Sequence, residues 1–186
     1  MRIRPELDEI VYGERGMLKA IEVVVAAQCL VSATILVFAA IDSLSALTRP
    51  IGEPDTSRDT FTGWCDRYLL ASDRLGCSSI DLYAARCGVL HTYSPASSLG
   101  RRGDARPLAY EWRAGPSADA AVPLAAGTVV VQMESLLEAV REAIRLFLID
   151  CETDSEIRHL VEQHMESLLC YAPWPRMYAV MEATVA

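Results

Sequence analysis

Arg86 and His91 are the residues of this chain best suited to chemistry. A guanidinium is planar, permanently charged and matched to phosphate oxygens, and an imidazole titrates near neutrality and can take or give a proton. Together they could clamp a phosphate and move a proton beside it. They lie five positions apart in Asp81-Leu-Tyr-Ala-Ala-Arg-Cys-Gly-Val-Leu-His91, a spacing that separates two side chains by about 140° around a helix. A bend, a helix end at Gly88 or a second subunit must therefore supply the convergence. A plainer reading has Arg86 neutralising a buried carboxylate and His91 complementing a helix C-terminus. Asp81 and Tyr83, five and three positions before Arg86, are the neighbours that could orient it.

The elements that position this pair follow from composition and pattern. The 186 residues, 52% hydrophobic, suffice for one domain with a full core, so residues 1–186 are read as a single helical domain with an insert at about 92–128. The net charge of −8 and pI near 4.9 exclude broad adhesion to nucleic acid, which depends on many Lys and Arg contacts with phosphates. Any RNA contact must be local. Residues 92–116 are the place: Arg101, Arg102, Arg106 and Arg113 against Asp104 and Glu111 leave a charge of +2, with Tyr93, Tyr110 and Trp112 interleaved. These four arginines are the candidate RNA-binding residues, and an ordinary solvated loop is the competing reading.

Six cysteines are scattered among apolar neighbours without a Cys-x-x-Cys pair, which predicts free thiols, no metal site and a reducing cytoplasm. No cofactor is expected, and the acidic first 22 residues do not resemble a signal peptide. Residues 23–41 form a run of 19 without a charge, the minimum for a bilayer span. The run is alanine-rich and lacks flanking Lys/Arg clusters and aromatic edges, so the expectation is a buried helix and no membrane.

Along the chain, the first 12 residues read as an arm or short helix, and a long first helix is expected over about 14–47, ended by Arg49-Pro50. A linker at 51–58 precedes a short helix with Phe61, Trp64, Tyr68 and Leu69 on one stripe. Ser78 or Ser79 caps the motif helix, which runs to His91. In the insert, residues 107–113 and 128–132 read as strands of a hairpin. Val130, Met133, Leu136, Leu137, Val140, Ile144, Phe147 and Leu148 make an amphipathic helical stripe. Thr153-Asp-Ser-Glu156 has the spacing of a capping box, and His159 and His164 beyond it are expected at solvent or interface positions. Pro173 and Pro175 end this last helix, and residues 177–186 are read as a further apolar turn.

The Arg-x4-His spacing, set between Leu82-Tyr83 and Val89-Leu90 in an all-helical layout with an insert before the last helices, resembles the Arg-x(4–6)-His motif of the HEPN superfamily. The resemblance implies an all-α, HEPN-like bundle in which two subunits pack their motif helices and line one groove with paired Arg and His. It implies cleavage of RNA without metal, with Arg86 on the scissile phosphate and His91 as general base toward the 2′-hydroxyl or general acid toward the leaving oxygen. A homodimer of toxin or antiviral type, with RNA as substrate and an antitoxin as a further partner, would follow. The sequence departs from the nuclease pattern after the arginine, where a polar residue is usual and this chain has Cys87-Gly88. A non-catalytic HEPN-like module for dimerisation or nucleotide binding therefore stays open, as does a protein anchored in a membrane through 23–41.

Overall fold

The computed structural model describes residues 3–92, 98–113, 123–165 and 168, and side chains for 6–90, 99–113, 123–165 and 168. They form a helical bundle: α1 (Ile3–Tyr12), α2 (Met17–Ala26), α3 (Leu30–Ala46), α4 (Arg58–Trp64), α5 (Ser79–Thr92), α6 (Ser98–Arg102), α7 (Met133–Thr153) and α8 (Ser155–His164), with strands β1 (Leu108–Glu111) and β2 (Val129–Gln132).

The long helix expected over 14–47 is two helices. Cys29 N–H donates to Val24 O and Gln28 N–H to Val25 O, each at 2.9 Å, while Gln28 adopts a φ of 58°. These are the two bonds and the left-handed residue of a Schellman ending. The chain turns there, and the uncharged run is shared between the end of α2 and the start of α3. Among the described residues, no helix is long and apolar enough to cross a membrane. A second tight corner joins α1 to α2, where a Cβ on Gly16 would stand 2.8 Å from the carbonyl oxygens of Ile10 and Val11.

The core is built where apolar stripes meet. α7 buries Met133, Leu136, Leu137, Val140, Ile144, Phe147 and Leu148, as its periodicity predicts. Phe61, Trp64, Tyr68 and Leu69 are buried as well, on α4 and a π-helical turn over Cys65–Leu69 that continues it. Phe147 makes edge contacts with Trp64 and Tyr68 at ring separations of 6.0 and 5.5 Å. From the same turn, Arg67 Nη2 bridges Asp150 at 2.6 Å and Asp154 at 2.9 Å. Two details of the C-terminal stripe differ from expectation. Val130 lies in β2 and is 43% exposed, because successive strand residues point to opposite faces and Val131 takes the buried one. The cap of α8 is Asp154, whose Oδ1 accepts from Glu156 and Ile157 amides, and Thr153 instead turns its hydroxyl back to Ile149 O.

The strands exist, but they do not form a hairpin. β1 and β2 pair in parallel, Leu108 opposite Val129 through Glu111 opposite Gln132. A hairpin is antiparallel by construction, and two residues of turn cannot join a parallel pair. His164 is also corrected: it is buried, with Nε2 3.0 Å from Arg49 O, whereas His159 is exposed. The readings that involve Tyr93, Cys170, Pro173, Pro175 and residues 177–186 fall outside the described residues.

Candidate functional site

α5 carries the site, and its first turn explains its placement. Ser78 is the cap: its hydroxyl accepts from the Asp81 amide at 3.3 Å, and its own amide donates to Asp81 Oδ2 at 3.0 Å, a reciprocal box that satisfies amides a helix start leaves unpaired. Asp81 does not orient Arg86. Its carboxylate, 2% exposed, accepts from Arg106 N at 2.7 Å, Nε at 3.0 Å and Nη2 at 2.7 Å. Burial pushes the Asp81 carboxyl up, but the Ser78 amide and the Arg106 guanidinium and amide outweigh it, and the group titrates below the usual carboxylate range.

Arg86 is held from α3. Its Nε donates to Asp42 Oδ1 at 2.9 Å and its Nη2 to Asp42 Oδ2 at 2.7 Å, a bidentate fork. The two side chains are 17% and 23% exposed. Burial opposes the charge of Arg86; the hydrogen bonds and field of Asp42 overcome that, and the guanidinium binds its proton more firmly than usual. A guanidinium has five N–H donors, and Asp42 uses one on Nε and one on Nη2. On the outer edge, Nη1 donates to Cys87 Sγ at 4.0 Å, a weak acceptor. No motif singles out Asp42, yet it carries a signal: it is the one charged residue between Val23 and Thr48, and a carboxylate in so apolar a helix needs a cationic partner.

α5 runs uninterrupted through Gly88 to Thr92, so there is no helix end at Gly88. The backbone of His91 is in this helix; its side chain lies outside the described residues. Within α5 the helical spacing keeps the two motif residues about 140° apart.

The four insert arginines lie in different surroundings. Arg106 is bound to Asp81 and to Gly76 O at 3.2 Å, so it anchors the insert to the motif helix. Arg113 is exposed and its amide donates to Glu134 Oε1 at 2.9 Å. Arg101 and Arg102 are exposed on α6, and Arg102 Nε pairs with Asp104 Oδ2 at 2.9 Å.

Two cavities adjoin α5. One, of ≈ 460 Å³, is bordered by Ser57, Arg58, Asp59, Tyr83, Cys87 and Arg102, side chains that offer charge and hydrogen bonds. Tyr83 is packed against Phe61 at 5.6 Å; burial, together with Cys87, pushes its hydroxyl up. The other, of ≈ 560 Å³, lies between α3 and β1, walled by Leu30, Ile35, Val89, Tyr110 and Trp112 among other residues, none of them charged. Those described residues bring no charge to neutralise a phosphate.

Compared with family models, curated proteins and solved structures, the chain matches none.

Proposed function

We propose that the chain is a HEPN-like helical protein that acts as a homodimeric, metal-independent endoribonuclease of toxin or antiviral type. The observation that carries this reading is the hold of Asp42 on Arg86. One edge of the guanidinium is fixed by a carboxylate and the other meets the Cys87 thiol, a weak acceptor that a phosphate oxygen can displace, which is how a phosphate clamp is preorganised. The unbroken course of α5 supports the dimer. Arg86 and His91 diverge on one helix, so a composite groove needs the motif helix of a second copy.

In that groove Arg86 binds the non-bridging oxygens of the scissile phosphate. His91 removes the proton of the ribose 2′-hydroxyl, whose oxygen forms a new bond to phosphorus. The bond from phosphorus to the 5′-oxygen breaks, and the partner's His91 gives the leaving oxygen a proton. The products are a 2′,3′-cyclic phosphate and a 5′-hydroxyl.

The test is cleavage of single-stranded RNA in EDTA, with the product ends identified by mass spectrometry. His91→Ala should lower the rate by about 10²–10⁴-fold. Arg86→Lys should recover little activity, because an ammonium does not reproduce the fork. Cleavage that persists in the His91→Ala protein would overturn the assignment. A second reading, a non-catalytic HEPN-like dimerisation or nucleotide-binding module, is favoured by Cys87 after the arginine and by the low exposure of Arg86. Intact RNA together with a preserved dimer in sedimentation would select it.

A further inference from the structure

The polar cavity beside Cys87 is joined to the motif. Its Sγ is the atom 4.0 Å from Arg86 Nη1, and the same residue borders the cavity with Arg58, Arg102, Tyr83, Ser57 and Asp59. Two guanidiniums at the rim suit phosphate oxygens. Both have carboxylate neighbours: Arg58 Nε is 3.6 Å from Asp59 Oδ1, and Arg102 is paired with Asp104. These are exposed pairs, weakly held in water, that a phosphate can displace. Tyr83, packed against Phe61, adds a ring and a hydroxyl to the same lining, and Leu99 an apolar border, the combination that a nucleoside, part flat and apolar and part hydrogen-bonding, requires.

We infer that this cleft takes one phosphorylated nucleoside, the nucleotide of a single-stranded RNA next to the phosphate at Arg86. The inference rests on the ribonuclease reading for its substrate and adds the place where the neighbouring nucleotide of the strand is held. A duplex does not fit the arrangement, because double-stranded RNA is read across a wide, shallow minor groove and keeps its bases stacked. The overall charge of −8 leaves such local contacts as the source of affinity.

Occupancy can be read without cleavage. The wild-type chain is mixed with a 2′-O-methyl RNA hexanucleotide, which cannot form the cyclic product, or with a 16-base-pair RNA duplex or adenosine 5′-monophosphate. Alkylation of Cys87 by iodoacetamide is followed by peptide mass spectrometry, with the exposed Cys29 as internal control. The hexanucleotide should slow Cys87 and leave Cys29 unchanged, while the duplex should do neither. In fluorescence anisotropy, Arg58→Ala and Arg102→Ala should each reduce the slope of log affinity against log salt by roughly 0.7, the value for one phosphate contact on a single strand. Binding of the hexanucleotide with Cys87 unprotected, or with both slopes unchanged, would overturn the cleft. Protection by adenosine 5′-monophosphate and not by RNA would retain the nucleotide and overturn the strand; binding of neither would overturn both. Protection in a chain that cuts no RNA would keep the cleft and remove the ribonuclease reading.

Discussion

α5 meets two arginine–carboxylate pairs, and they are built in opposite senses. At its start the carboxylate is the buried member: Asp81 is 2% exposed and takes four hydrogen bonds, while Arg106 is 50% exposed. In its middle the arginine is the more buried member, and its carboxylate, Asp42, is bound along one edge. A carboxylate saturated by donors is a finished structural joint. An arginine gripped on one side by a single acid, with a weakly accepting thiol on the other, is oriented and can exchange that thiol for a stronger acceptor. The contrast separates anchoring from presentation along one helix, with Arg106, a candidate by composition, on the anchoring side.

Breaking the first pair should have the largest effect. Asp81→Ala strands the Ser78 and Arg106 amides, each worth about 1–3 kcal/mol when left unsatisfied, and releases the Arg106 guanidinium, so it should cost roughly 3–5 kcal/mol in urea unfolding. Because the folded-state carboxyl is held below its unfolded value, its stabilising contribution is complete above the unfolded pKa of about 3.9 and is lost as pH falls through the lower folded value. Wild-type stability should therefore drop more steeply below about pH 4 than that of the Asp81→Ala protein; parallel curves would mean that Asp81 is not the joint described.

The second pair should matter less for stability and more for function. Asp42→Ala should cost about 1.5–3 kcal/mol, the range for hydrogen bonds to a charged group. The double substitution Asp42→Leu with Arg86→Met should restore most of that loss, since an apolar pair can replace an ion pair, and it should remain inert toward RNA. Recovery of stability with full cleavage would show that Arg86 is only a lock between α3 and α5. The smallest change, Ser78→Ala, should cost about 1 kcal/mol as the loss of a helix cap and leave the grip of Asp42 untouched. A cleavage rate that fell with it would mean that the two pairs are coupled through α5.

What could be read in advance follows from the range of the interactions. The α7 stripe and the Ser78 cap are legible because neighbours in sequence make them. The stripe of Phe61, Trp64, Tyr68 and Leu69 survives for the same reason, although a π-helical turn carries half of it. The bond from His164 to Arg49 O spans 115 positions, and the parallel register of β1 with β2 joins segments that only the tertiary fold aligns, so neither leaves a local trace. Asp42 is intermediate. Its isolation in an apolar run announces a partner, and the 44 positions to Arg86 hide which one. The corner at Gln28 is illegible for another reason: glutamine has no preference for the left-handed region that glycine and asparagine mark.

That corner has an engineering consequence. A residue with a Cβ in the left-handed region gives up about 1 kcal/mol, and Gln28 is exposed, its amide reaching only Val25 O, at 3.5 Å. Glycine at position 28 removes the penalty and keeps both backbone bonds of the turn. For a chain of this length a gain of that size corresponds to a rise of roughly 2–4 °C in melting temperature. The bend between α2 and α3 is thus a place where the protein sits below its own thermal ceiling, within reach of one codon change.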